Sequence, residues 1–189
     1  MPEFILKDTS ESSIEPILAC FDNPFQHKCV RIVLDRNTGG TLPPVMDLIS
    51  RIKYSDSDVC ISIGVNRYIF SAAAVFYFSL LFGKECGDFA NVEFSELAEP
   101  ILVLFHKPRI CEGGEFIRFD NETQSDSGTE TGIVERTFRR FLVATGNSEI
   151  KVVPNLEGFE GMKHKNQHFL DALENNYDCI FLWDGSARS

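Results

Sequence analysis

The apolar run 68–83, YIFSAAAVFYFSLLFG, constrains the fold more than any other stretch of this chain. It is shorter than the roughly 18–20 residues that a membrane-spanning helix needs. Asn66 and Arg67 close it on one side, and Lys84 and Glu85 close it on the other. The run therefore predicts a helix buried in a protein core, and no membrane segment.

Ser71 lies near the start of this run and follows a candidate strand. Residues 58–64, DVCISIG, predict a short buried strand that ends at a glycine. A serine that enters a helix after a strand and a bend is placed as a nucleophile, because unpaired N–H groups at the helix start favour negative charge. The N–H of Ala72 is placed to face an oxyanion. The alternative is a helix cap or a tolerated small residue.

Length and composition predict one globular domain over residues 1–189. The chain is 43% hydrophobic, and its 17 phenylalanines exceed what a small core needs, which favours buried oligomer contacts. A net charge of −10 argues against a nucleic-acid partner. The six cysteines are scattered without a C-x-x-C pair, which predicts a reducing, cytoplasmic compartment and no metal site. The polar start MPEFILKDTSESS disfavours a signal peptide.

Strand and helix patterns alternate along the first half of the chain. This order is typical of an α/β fold with a mostly parallel sheet. Segment 84–99 is predicted to be an acidic surface connection, and 112–132 a mobile loop. Strands are predicted at 4–6, 29–34, 59–63, 101–105, 179–183 and, more weakly, 149–153, and helices at 11–21, 42–54, 68–83, 134–144 and 171–176.

Two further motifs follow predicted strands, where open parallel sheets form ligand sites. Gly39 and Gly40 come after the strand CVRIVL, and glycines there let backbone N–H groups approach a substrate carbonyl. His106 comes after ILVLF, and a histidine accepts and returns a proton near neutral pH. Taken singly, the glycines are also consistent with a tight turn and the histidine with a packed or surface residue.

In this order the motifs closely resemble the proteolytic subunit of the Clp protease. N-T-G-G at 37–40 resembles that family's Asn-Ser-Pro-Gly-Gly, Ser71 with small residues after it resembles its Ala-Ser, and L-F-H-K-P at 104–108 resembles its Met-Ile-His-Gln-Pro. Thr145-Gly146 resembles the turn after the family's handle helix, and 171–174 its Ser/Thr-Ala-x-Glu. The longer interval from Ser71 to His106 indicates an insertion within 84–99.

The resemblance implies a ClpP/crotonase-like ββα spiral with flanking helices and a handle-like helix, assembled into a homo- or hetero-oligomeric ring around a chamber. It implies a serine endopeptidase that cleaves peptides or unfolded proteins without a cofactor. Ser71 would be the nucleophile, His106 the base, and the N–H groups of Gly40 and Ala72 the oxyanion hole. Little chain precedes the first strand, which disfavours an AAA+ unfoldase partner.

The third member of the triad departs from the family pattern. The best-matching position for the family's aspartate is Gln167, beside Asn166, and an amide carries no charge to steady an imidazolium. Glu160 or Glu157 are the candidate substitutes, and the alternative for both is a solvated loop charge. His164 and His168 have helical metal spacing but no third ligand, so they are interpreted as surface residues.

Three functional hypotheses remain at this point. The first is an active Clp-like serine endopeptidase, which the retained Ser71, His106 and Gly39-Gly40 favour. The second is a catalytically weak or silent structural subunit of a mixed ring, which the missing acid and the bulky lead-in Arg67-Tyr68-Ile69-Phe70 favour. The third keeps the crotonase-like fold with acyl-thioester chemistry, but no adenine-binding signature is visible.

Overall fold

The computed structural model describes residues 1–22, 28–56, 58–106, 108–112, 115–118, 130–145 and 178–186. The helices are α1 (Glu11–Asp22), α2 (Leu42–Lys53), α3 (Ala72–Glu85) and α4 (Glu130–Thr145). The strands are β1 (Glu3–Leu6), β2 (Cys29–Asn37), β3 (Cys60–Phe70), β4 (Val92–Phe94), β5 (Ile101–Phe105), β6 (Arg109–Glu112), β7 (Glu115–Arg118) and β8 (Cys179–Trp183).

Within these ranges the main sheet has the order β1-β2-β3-β5-β8, with β4 also paired to β3. β1, β2, β3 and β5 are mutually parallel, and β8 runs antiparallel to β5. β3 pairs with β4 through Ile61–Ile63 and with β5 through Tyr68–Phe70. The prediction of a mixed α/β fold with a mostly parallel sheet is confirmed, and the parallel order places the carboxyl ends of β1, β2, β3 and β5 at one edge.

β3 is longer than the sequence pattern predicted. The expected end at Gly64 is wrong, and so is the helical start of the apolar run, because β3 continues to Phe70. Tyr68, Ile69 and Phe70 are aromatic or β-branched residues that suit a pleated strand, and they gain a partner in β5. The backbone φ of Arg67 is +69°, so the strand is irregular just before it pairs with β5.

α3 is buried on nearly all sides, as an all-apolar helix must be in a folded protein. α4 packs on it, with the ring of Phe141 against that of Phe78 and Thr137 Oγ1 3.2 Å from Ser79 Oγ. Val134, Phe138 and Leu142 of α4 are also buried in the core. A cluster of aromatic rings fills the space between α3, α4, β5 and β8: Phe78, Phe105, Phe138, Phe141, Phe181 and Trp183. Among the helices described, none is both long and apolar enough to cross a bilayer.

Two predicted connections contain regular structure. Segment 84–99 is not a plain surface connection, because it includes β4 and the buried residues Phe89 and Val92. Phe89 packs so closely on α3 that a side chain at Gly83 would collide with its ring. The predicted loop 112–132 overlaps the antiparallel hairpin of β6 and β7, and its last residues belong to α4, which begins at Glu130 rather than at 134.

Several sequence predictions fall outside the described residues. These are the remainder of the loop at 119–129, the helix stop at Gly146, the strand at 149–153, the irregular stretch 155–168 and the helix at 171–176.

Candidate active site

Ser71 is the corner residue between β3 and α3, and its backbone is strained. Its φ is 57° and its ψ is −123°, a region that residues with a Cβ rarely adopt. Its N–H donates to the carbonyl oxygen of Leu104 in β5 at 2.8 Å, and its carbonyl accepts the N–H of Val75 at 3.1 Å. Such strain costs about 1–3 kcal/mol and persists where the surroundings enforce it, often at functional sites.

The turn after β2 is fixed by the side chain of Asn37, which is fully buried. Its Nδ2 donates to the carbonyl oxygens of Leu6 at 3.0 Å and Asp8 at 3.3 Å, and its Oδ1 accepts the N–H of Gly39 at 2.9 Å. The N–H of Thr9 donates to the carbonyl of Gly39 at 2.9 Å. The β1–α1 loop therefore holds the double-glycine turn through both backbone and side-chain bonds.

Gly39 lies directly against Ser71. The φ of Gly39 is +84°, and a Cβ built there would lie 2.6 Å from the carbonyl oxygen of Phe70 and 2.7 Å from the Cβ of Ser71. Those separations are well below van der Waals contact, so only glycine fits without a shift of the corner. The same Cβ position is 3.3 Å from the nitrogen of Ala72, which places the double-glycine turn beside the first N–H of α3.

The two expected oxyanion donors have N–H groups that the local structure leaves available. The N–H of Gly39 is used by Asn37, whereas that of Gly40 has no acceptor in the part of the chain that the structure describes. Ala72 is the first residue of α3, and an N–H at that position has no carbonyl one turn earlier in the helix. An N–H at a helix start, such as that of Ala72, is suited to bind a developing negative charge.

His106 follows β5 on the strand beside Ser71. β3 and β5 pair in parallel with Phe70 opposite Leu104, and Leu104 accepts the Ser71 N–H. The Cα of His106 lies at most about 7 Å from the Cα of Leu104, because two residues span no more. The structure thus brings Ser71, His106 and the double-glycine turn to neighbouring strand ends, and we call this group the strand-tip site.

A network of hydroxyls surrounds Asp8 in the β1–α1 loop. Its Oδ1 accepts the hydroxyls of Ser10 and Ser13, both at 2.6 Å, and the N–H of Ser10 at 2.9 Å. These bonds, led by the Ser10 hydroxyl, hold the pKa of Asp8 below its usual value. The loop is therefore stiffened next to the carbonyl that accepts from Asn37.

Sequence reasoning missed the supporting residues Asn37, Asp8 and Thr9. Thr9 is 1% exposed, and its hydroxyl lacks a hydrogen-bond partner among the described residues. That oxygen lies 3.0 Å from the position of a Cβ at Gly40. The signal that could have found Asn37 is its place in the N-T-G-G motif, since asparagine bonds well to turn backbone two residues on.

The candidate third members of the triad, Gln167 and Glu160, lie outside the described residues, as do Asn166, Glu157, His164 and His168. The bulky residues before Ser71 belong to the part of the chain that the structure describes. The rings of Tyr68 and Phe70 stack with centroids 4.6 Å apart and both are partly exposed, while Ile69 is buried. An aromatic pair therefore borders the strand-tip site.

The fold and this corner define a mixed α/β protein with a strained serine between a parallel strand and a buried helix. No family model and no curated protein matches the sequence. Among solved structures, the chain resembles the crystal structure of a peptidase from Plasmodium falciparum, with a TM-score of 0.51 and 12% identity. The match covers 95% of this chain and 87% of that one, so the likeness extends over the whole fold.

Proposed function

We propose that this chain is a serine-type endopeptidase with a ClpP/crotonase-like ββα-spiral fold. The observation that carries the proposal is the strained corner at Ser71, with the glycine backbone of Gly39 against it. Strain of this kind is retained where a hydroxyl must be presented to a substrate. The fold likeness to a peptidase over nearly the whole chain supports the same conclusion.

In the proposed reaction the Ser71 oxygen attacks a peptide carbonyl carbon while the His106 imidazole accepts the hydroxyl proton. The oxyanion that forms accepts the N–H groups of Gly40 and Ala72. His106 then returns the proton to the departing amine, and water repeats the sequence to release the acyl group from Ser71. Gln167 or Glu160 would orient the imidazole as the third member.

The proposed setting is an oligomeric chamber in a reducing, cytoplasmic compartment, with peptides or unfolded proteins as substrates. Cys20, Cys29, Cys60 and Cys86, which lie in the described ranges, are free thiols. The ring is homo- or hetero-oligomeric, and an AAA+ unfoldase is the less favoured partner.

A silent structural subunit is the second candidate function. The amide of Gln167 at the position expected for the acid favours it, because loss of that charge lowers turnover by about four orders of magnitude in serine proteases. The two candidates differ in whether Ser71 reacts at all.

Fluorophosphonate labelling of the assembled protein tests the proposal. We expect modification at Ser71 alone, lost in Ser71→Ala, slowed by about 10³-fold or more in His106→Ala, and retained in Ser62→Ala, a serine within β3. Absence of labelling in the wild type would overturn the enzyme and leave the structural subunit. Light scattering tests the chamber separately, and a stable monomer of 21.3 kDa would exclude it.

A further inference from the structure

A cavity separate from the strand-tip site lies between α2, α3 and α4, about two helical turns along α3 from Ser71. Its volume is about 420 Å³, within the range of small-molecule sites. One wall is apolar and is built from Met46 and Ile49 of α2, Phe82 of α3 and Ile133 of α4. A ligand that fills this cavity must therefore carry an apolar portion.

Two hydroxyls interrupt the apolar wall. Ser79 Oγ and Thr137 Oγ1 lie 3.2 Å apart, and Thr137 is 6% exposed. Because a hydroxyl donates one hydrogen bond and accepts others, this pair is able to bond a polar ligand atom. The cavity thus combines apolar contact with a polar position.

Arginines of α4 form the rim. Arg136, Arg139 and Arg140 line the cavity, and Arg136 and Arg140 are one helical turn apart on the same face. Both side chains are exposed, and neither forms an ion pair with a residue that the structure describes. Like charges at this spacing repel, in a chain whose net charge is −10. An anion bound between them would relieve that repulsion.

We propose that this cavity binds a small amphipathic oxyanion, a carboxylate or phosphate carried on a short apolar chain. The guanidinium groups offer forked donors that match either oxyanion, while Ile49, Phe82 and Ile133 receive the chain. The ligand class follows from the charge of the rim and the character of the wall, and it does not depend on the activity proposed for Ser71.

Equilibrium dialysis of the full-length protein with radiolabelled octanoate tests this site, with unlabelled octanoate, octyl phosphate and octanol as competitors. We expect saturable binding that either anion displaces and octanol displaces at least tenfold less well. Hexanoate is expected to bind about tenfold more weakly than octanoate, because two buried methylenes are lost. Displacement by octanoate and not by octyl phosphate would restrict the ligand class to carboxylates.

Arg136→Gln and Arg140→Gln are each expected to weaken octanoate binding about tenfold, the loss of one charge-assisted contact. The matched control is Arg51→Gln, which changes the net charge equally but lies in the ion pair with Asp22. Ser71→Ala is expected to bind octanoate as the wild type does. An octanoate affinity in Arg136→Gln and Arg140→Gln equal to that of the wild type, or competition by octanol equal to that by the anions, would overturn the proposal. Circular dichroism confirms that these exposed substitutions leave the fold intact.

Discussion

The N-terminal end of α3 and its middle lie in regions of opposite character. Its N-terminal end meets the strand-tip site, where Ser71 has a strained backbone and Asn37 uses all its amide atoms in hydrogen bonds. Further along, Phe78 lies in the aromatic cluster, within 6 Å of the rings of Phe82, Phe105, Phe141 and Trp183. Apolar burial in the cluster stabilises the fold, whereas the strained backbone of Ser71 destabilises it.

This difference indicates which substitutions should mainly change the free energy of unfolding and which should mainly change the reactivity of Ser71. Each buried ring contributes about 1.5–3 kcal/mol, a magnitude comparable to the cost of one strained residue. Substitutions in the cluster should therefore change the free energy of unfolding while the remaining folded protein keeps its reactivity. Substitutions at the strand tips should change the reactivity of Ser71, with a smaller effect on the free energy of unfolding.

The largest effect is expected from Phe78→Ala in the aromatic cluster. Removing a ring that is 1% exposed should lower the free energy of unfolding by about 3–5 kcal/mol, through lost burial and the cavity left behind. Urea unfolding at fixed protein concentration measures it. Leu182→Ala, at a side chain that is 40% exposed, is the control and should cost about 1 kcal/mol or less. A loss below 1 kcal/mol for Phe78→Ala would break the comparison.

Gly39→Ala is expected to cost about 2–3 kcal/mol and to slow labelling of Ser71 about 100-fold. The new Cβ would collide with Phe70 and Ser71, so the corner must move. Gly87→Ala is the matched control, because the φ of Gly87 is +88° but no atom lies within 4 Å of its Cβ position. It should cost only about 1 kcal/mol of backbone strain. An equal loss of unfolding free energy in Gly39→Ala and Gly87→Ala would show that the contact with Ser71 does not require glycine at position 39.

The sequence predicted those parts of the fold in which local pattern and tertiary context agree. β5 and β8 have the predicted bounds, because each is a short apolar run between polar residues. The length of β3 was underestimated, because the apolar residues Tyr68–Phe70 are compatible with either a helix or a strand. Pairing with β5 selects the strand. β4 was missed, because this three-residue strand forms by pairing with β3. Phe89 and Val92 are buried in the same segment, and no local sequence pattern indicates such tertiary contacts.

At the strand-tip site the sequence located residues but not their supports. Ser71, His106, Gly39 and Gly40 were predicted as site residues because each follows a predicted strand, and parallel strands end at one edge. The bonds from Asn37 to Leu6 and Asp8 join residues some thirty positions apart, so only the fold brings them together. The roles of these residues in a reaction stay predictions.

Ser71→Gly sharpens the comparison, since it should be more stable than Ser71→Ala while both variants lose labelling. Glycine adopts a φ of 57° with a ψ of −123° without a clash, although its flexible unfolded state offsets part of the gain. We expect Ser71→Gly to be about 1 kcal/mol more stable than Ser71→Ala, which removes the same hydroxyl but keeps the strain. Thermal unfolding of Ser71→Gly and Ser71→Ala measures the free-energy cost of the strained backbone at this position. If the alanine variant is equally stable, the corner is not strained in solution.

The smallest effect concerns the acid sensitivity of the loop that supports the double-glycine turn. The pKa of Asp8 is lowered in the folded protein, chiefly by the Ser10 and Ser13 hydroxyls. Its stabilising contribution is therefore complete above the unfolded pKa of about 3.9 and is lost as the pH falls through the lower folded value. At pH 7 we expect Asp8→Asn to cost about 0.5 kcal/mol, given the partial exposure of the loop. The urea midpoints of the two proteins should converge once the pH falls below the folded pKa of Asp8, whereas a difference that persists there would assign the loss to packing rather than to charge.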